Sequence, residues 1–102
     1  MTAGGSDAGE SPPSRPPYGL RMSGPARRAL TETLPEKVAA AVYEFVSGPL
    51  LEEPRRVGKP LEPPLAPTFS ARRGTYRVLY LVDDERHVVE VTAVRQRSDA
   101  YR

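Results

Sequence analysis

The 102-residue sequence has no cysteine and no tryptophan, and its one histidine is His87. Without cysteine there is no disulfide framework and no thiolate metal site, and a lone imidazole excludes a multi-histidine centre. No metal and no cofactor are therefore expected. No apolar run approaches the ~20 residues that a bilayer-spanning helix needs, so no membrane partner is expected either. Residues 1–17 lack the basic start and apolar stretch of a secretory leader, which makes a cytoplasmic protein the default. Isoleucine and asparagine are also missing, as happens when codons are GC-rich.

The basic residues are 13 arginines and two lysines, Lys37 and Lys59, against 13 acids, for a net charge of +2. GC-rich coding accounts for the preference for arginine over lysine but not for where the arginines sit. The guanidinium is a planar, permanently charged fork that matches phosphate oxygens.

The length suits one small domain. Residues 1–17 are Gly-, Ser- and Pro-rich with three apolar residues, which predicts a disordered N-terminal tail. A single domain over 18–102 follows. Tyr18–Met22 alternates apolar and polar and reads as a short strand. Ser23 and Pro25 are helix-start signals for a short helix running to Thr33. Pro35–Ser47 carries an apolar stripe of Val38, Val42 and Val46 with Ala41 and Phe45 beside it, and Gly48-Pro49 ends it. Two helices joined so closely predict an antiparallel helical hairpin. The segment 54–67 holds five prolines, and no regular element is expected there. Three strands follow: Thr68–Arg72, Thr75–Val82 and His87–Val94. In the second, Tyr76, Val78, Tyr80 and Val82 point one way and Arg77, Leu79 and Leu81 the other. In the third, Val89, Val91 and Ala93 share a face. The predicted fold is α+β, in the order β-α-α-β-β-β: a twisted antiparallel sheet with the helical hairpin packed on one face. The other face is free.

Between Pro54 and Arg77 lie Arg55, Arg56, Lys59, Arg72, Arg73 and Arg77 against Glu62 alone, a net +5. Arg95, Arg97 and Arg102 close the chain with Asp99 opposing them. In an antiparallel meander the start of the second strand lies beside the end of the third, so Arg77 and Arg95 should be neighbours. Cations brought together repel unless an anion lies between them, which points to a phosphate-rich partner. Charge runs are ordinarily solvated faces, and that is the plainer account of Arg55-Arg56; Arg72-Arg73 also flanks a turn. Arg77 is harder to dismiss, because it sits in an otherwise apolar strand. Tyr76 and Tyr80 read as core aromatics rather than base-stacking platforms, and Tyr101 lies in a polar terminal stretch.

The string Ser70-Ala-Arg-Arg-Gly-Thr-Tyr-Arg-Val-Leu-Tyr80, with Val94-Arg-Gln-Arg-Ser-Asp-Ala-Tyr-Arg102 at the end, resembles the signature of the RelE/ParE toxin superfamily. Leu34-Pro-Glu-Lys through Gly48-Pro-Leu-Leu, and Pro54-Arg-Arg-Val-Gly-Lys-Pro-Leu61, are similar to the helical hairpin and following loop of RelE-type members. The resemblance spans about residues 18–102 and implies the same β-α-α-β-β-β fold.

It also implies the toxin of a type II toxin–antitoxin pair: a ribosome-dependent, metal-independent mRNA interferase. The expected step is attack of a ribose 2′-OH on the adjacent phosphorus. By the resemblance, Arg77 would contact the scissile phosphate, Arg95 would sit near the leaving group and Tyr101 would take the proton or orient the base. Arg55, Arg56, Lys59, Arg72, Arg73 and Arg97 would bind RNA. The prototype RelE carries two lysines on the strand where this chain has Thr68 and Ser70. The implied partners are a cognate antitoxin in a hetero-oligomer, the ribosome with its mRNA, and operator DNA through the toxin–antitoxin complex. Two alternatives share the fold: a ParE-like, non-enzymatic inhibitor of DNA gyrase, and an inactive member acting with its antitoxin on operator DNA.

Overall fold

The computed structural model describes residues 16–96. Arg97, Tyr101, Arg102 and nearly all of the N-terminal segment lie outside the described residues. Strand β1 (Gly19–Met22) leads into α1 (Gly24–Arg28). Ser23 caps α1 as the sequence predicts, its Oγ accepting from the Ala26 N–H at 3.2 Å, with Pro25 in the first turn. One π-helical turn, Ala29–Thr33, completes the predicted helix. Helix α2 (Glu36–Ser47) buries Val42, Phe45 and Val46, with Pro35 extended just ahead of it rather than inside it. Gly48 stops α2, but the chain then makes a further helical turn, α3 (Pro49–Glu52), which the sequence reading does not contain; it buries Leu50.

The sheet is built from β1, β2 (Lys59–Pro60), β3 (Phe69–Arg73), β4 (Tyr76–Asp83) and β5 (Val88–Gln96), in the spatial order β1-β5-β4-β3-β2. The α+β class and the order of elements agree with the sequence reading, with two corrections. First, the sheet is mixed, because β1 lies parallel to β5. Antiparallel pairing follows for strands joined by tight turns, whereas β1 leaves through the helices and is free of that constraint. Second, the proline-rich segment does contribute a strand: Lys59 pairs with Ser70 and Pro60 with Phe69. Pro60 is tolerated because β2 is an edge strand.

The core lies between one sheet face and the helices. Tyr18, Ala26, Val42, Phe45, Val46, Leu50, Ala71, Tyr76, Val78, Tyr80, Val89 and Val91 are its buried residues. Phe69, Val82 and Val94 pack against them. The placement of Val94 overturns one expectation. Tyr80 faces Val91 but Leu79 faces Ala93, so Thr92 is an extra residue in a β-bulge. The core positions of β5 are therefore Val89, Val91 and Val94, and Ala93 turns to the opposite face beside Leu79.

Leu50 tests the unanticipated turn α3. It is fully buried, so Leu50→Ala is expected to cost about 2–5 kcal/mol. A lowered urea midpoint with an unchanged denaturant slope would show it.

Candidate nucleic-acid interface

The face away from the helices carries a line of arginines. Arg72 in β3 stands directly opposite Arg77 in β4, which stands directly opposite Arg95 in β5. Residues paired in this way share a sheet face, with Cβ atoms about 5 Å apart. All three side chains are exposed, and among the described residues none of the three has a carboxylate partner. Like charges directly opposite one another destabilise a sheet. The row therefore spends stability to hold three forked donors toward solvent at intervals suited to phosphate oxygens.

Two local features set this register. Gly74, at φ +58°, opens the tight turn between β3 and β4; that backbone region favours glycine, and the turn fixes Arg72 against Arg77. On the other side, the Thr92 bulge brings Arg95 level with Arg77. Strict alternation from Val89 and Val91 would have sent Arg95 to the helix side.

Lys59 belongs to the same face. Its partner Ser70 lies two residues from Arg72 in β3, on the same side of the sheet. The chain reaches this position over Gly58, where a Cβ would meet the Tyr80 Oη and stand 2.9 Å from the Ser70 carbonyl oxygen. Only glycine lets the segment pass this close.

The remaining predicted residues are not in the row. Arg73 pairs with Tyr76 and so lies on the helix side, its guanidinium 4.6 Å from the centroid of the Phe45 ring. Arg55 sits at the far end of the sheet. It donates twice to Asp84, at 3.0 and 2.7 Å, and Tyr18 Oη donates to the same carboxylate at 2.7 Å. The hydrogen bond to Asp84 raises the Arg55 pKa further. Asp84 is seven residues from Arg77 along β4 and the turn, roughly 23 Å at the strand rise. Arg56 is exposed, with its backbone N–H bonded to the Glu53 carbonyl. Arg97 and Tyr101 fall outside the described residues. His87 stacks on Tyr18 at 3.9 Å, with its Nε2 2.8 Å from the Pro16 carbonyl oxygen.

Tyr76 and Tyr80 are core residues, as the sequence predicts. Tyr80 Oη donates to the Pro54 carbonyl at 2.5 Å, and Tyr76 Oη to the Ala41 carbonyl at 3.3 Å. Burial raises both phenols, that of Tyr80 to about 12. Neither faces the arginine row, and both stay protonated at neutral pH. Among the described residues no group of three or more His, Cys, Asp or Glu is placed to hold a metal ion.

Comparison with known proteins places the chain. Residues 23–101 match the model of the ParE toxin of type II toxin–antitoxin systems. The chain belongs to this toxin family. It is 55% identical over 86 residues to the toxin RelG of Mycobacterium tuberculosis, covering 84% of this chain and 98% of that one. The toxin RelE of the same organism is 51% identical over 86 residues, covering 84% and 88%. The M. tuberculosis RelBE2 toxin–antitoxin complex contains a chain that superposes with a TM-score of 0.76 and 54% identity, covering 79% of this chain and 99% of that one. This protein is a RelE-type toxin of the type II class. Among the described residues no helix is long and apolar enough to cross a membrane.

Two measurements test the electrostatics. If the row is held against its own repulsion, Arg72→Gln raises stability by about 0.2–1 kcal/mol at low salt, and the gain closes as salt screens the charges; urea titrations at two ionic strengths read it. The second concerns alkali. The Tyr80 phenol ionises near pH 10 when unfolded and near 12 when folded, so the unfolded chain loses its proton first. Stability is then intact below pH 10, falls between 10 and 12 by at most about 3 kcal/mol, and levels off above. Tyr80→Phe should flatten that part of the curve.

Proposed function

We propose that this toxin is a ribosome-dependent, metal-independent endoribonuclease that cleaves mRNA and so stops translation. The observation that carries the reading is the row Arg72–Arg77–Arg95, three exposed guanidinium groups in register on one sheet face. A pentacoordinate phosphorane concentrates negative charge on its oxygens, and preorganised forked donors stabilise it.

In this reading Arg77, at the centre of the row, holds the non-bridging oxygens of the scissile phosphate. Arg95 stands beside the leaving oxygen and Arg72 holds the RNA backbone. The ribose 2′-oxygen gives up its proton, attacks the adjacent phosphorus, and displaces the 5′-oxygen, which takes a proton. The products are a 2′,3′-cyclic phosphate and a 5′-hydroxyl, and no water is consumed. Arginine cannot accept a proton at neutral pH. Tyr76 and Tyr80 face the core as protonated phenols. Tyr101 takes the proton or orients the base, the role that the family resemblance implies for it. Lys59, on the same face, extends the contact with the backbone.

The partners follow from this role: the ribosome with its mRNA in the cytoplasm, a small antitoxin that covers the basic face, and operator DNA through the toxin–antitoxin complex. Relatives support the antitoxin assignment, since the M. tuberculosis RelBE2 structure is a toxin–antitoxin complex.

The test is translation-coupled mRNA cleavage with reconstituted ribosomes. Loss of one oriented donor typically costs 10²–10³-fold, and Arg77→Ala is expected to lose roughly that much while keeping its fold. A variant that cuts as well as the parent overturns the mechanism. Accumulation of broken DNA instead of truncated mRNA would identify a gyrase inhibitor.

A further inference from the structure

The pairing of β5 with β4 can be drawn in two registers, with and without a bulge, and they would present different residues to the arginine row. In the observed register Thr92 bulges, Arg77 faces Arg95, and Val89, Val91 and Val94 supply the core positions. Continuing the pairing of Tyr80 with Val91 without a bulge would set Leu79 opposite Thr92, Arg77 opposite Val94, and Tyr76 opposite Arg95. Arg95 would then lie on the helix side, in line with Tyr76 and Arg73, and Ala93 would take the core position of Val94. Opposite Val78 the two registers offer Val94 or Ala93, both apolar, and they differ on the helix side only opposite Tyr76, where the observed register has Gln96 and the other would put Arg95; the apolar residues by themselves therefore specify the choice weakly.

The polar contacts specify it. Ser23 Oγ donates to the Thr92 carbonyl at 2.9 Å, and Ser23 N–H donates to the Val91 carbonyl at 3.0 Å. Thr92 Oγ1 donates to the Leu79 carbonyl at 3.3 Å. The bulge is thus pinned from both sides: by the residue that caps α1 and by its own hydroxyl on β4. Bulges commonly re-aim a side chain beside a functional site.

We propose that Ser23 and Thr92 are positioning residues, whose side-chain hydrogen bonds select the bulged register and thereby hold Arg95 beside Arg77. The structural claim stands on the pairing alone; its consequence for catalysis rests on the function proposed above.

The experiment uses the full chain with Ser23→Gly and Thr92→Val combined. Glycine remains an acceptable helix cap, so the change removes the pin more than the cap. Each lost hydrogen bond shifts the register balance roughly 3- to 10-fold. Cross-strand proton contacts measured by NMR read the register without reference to RNA. A second set of contacts, Arg77 with Val94, is expected beside the original set with Arg95. Ribosomal mRNA cleavage is expected to fall in the same proportion.

Deleting Thr92 supplies the decisive arm. Removing the extra residue makes the strand regular while leaving Ala93 opposite Leu79 and Arg95 opposite Arg77. The deletion should therefore restore the single Arg77–Arg95 contact and the cleavage rate in the Ser23→Gly background, which the loss of a helix cap alone would not allow. The inference is overturned if the double variant keeps one set of Arg77–Arg95 contacts, or if the deletion restores nothing. If the register shifts and cleavage does not change, the register inference stands and the role of Arg95 in the proposed reaction falls.

Discussion

Everything on the arginine face depends on cross-strand registration of like charges. Three arginines from three strands are held level with one another, against a repulsion that a different register would relieve. The backbone supplies what is needed to hold them: a glycine turn between β3 and β4, and a pinned bulge in β5. A sheet face concentrates charge in this way because residues from separate strands come within ~5 Å when the ladder puts them opposite.

The same alternation separates two arginines adjacent in sequence. Arg72 is on the open face and Arg73 on the helix side, where its charge lies over Phe45 and its stem covers the rim of the core. Arg55 is committed elsewhere again, forked onto Asp84 together with the Tyr18 hydroxyl. That cluster ties the entry to β1, the segment after α3 and the β4–β5 turn together at the end of the sheet remote from the row. Of a basic segment of net +5, Arg72, Arg77 and Lys59 lie on the open face, whereas Arg55 and Arg73 are engaged within the domain.

The sequence carried the fold well where its signals are local. The Ser23–Pro25 start, the stripe of α2 and the alternation of β4 all predict what forms. A meander brings the Arg77 and Arg95 ends of the two strands together, although their shared face depends on the bulge, and Arg72 opposite Arg77 could have been counted through the Gly74-Thr75 turn. What the sequence did not disclose depends on partners far along the chain. The parallel placement of β1 is decided by how the helices cross the sheet. The capture of Arg55 by Asp84 joins residues 29 apart. The Thr92 bulge was unreadable because Ala93 and Val94 are both apolar and either fits the alternation. Gly58 gave no signal beyond being a glycine in a proline-rich loop; its reason is the Tyr80 hydroxyl beneath it.

The exposure of the row constrains how such a face can act on RNA. Unit charges 4 Å apart in bulk water interact by only about 1 kcal/mol, rising to about 4 kcal/mol at the effective dielectric of a protein surface. A 10²–10³-fold rate effect from one cation corresponds to about 2.7–4 kcal/mol. At the dielectric of bulk water a guanidinium does not reach that figure, whereas at the lower effective dielectric of a protein surface it does, and covering the face moves each charge toward the second case. On the proposed function the ribosome therefore does more than present the mRNA: by closing over the face it removes the water that screens Arg72, Arg77 and Arg95. The same exposure makes the face a natural target for an acidic antitoxin segment, since one covering chain would satisfy the donors and relieve their mutual repulsion together.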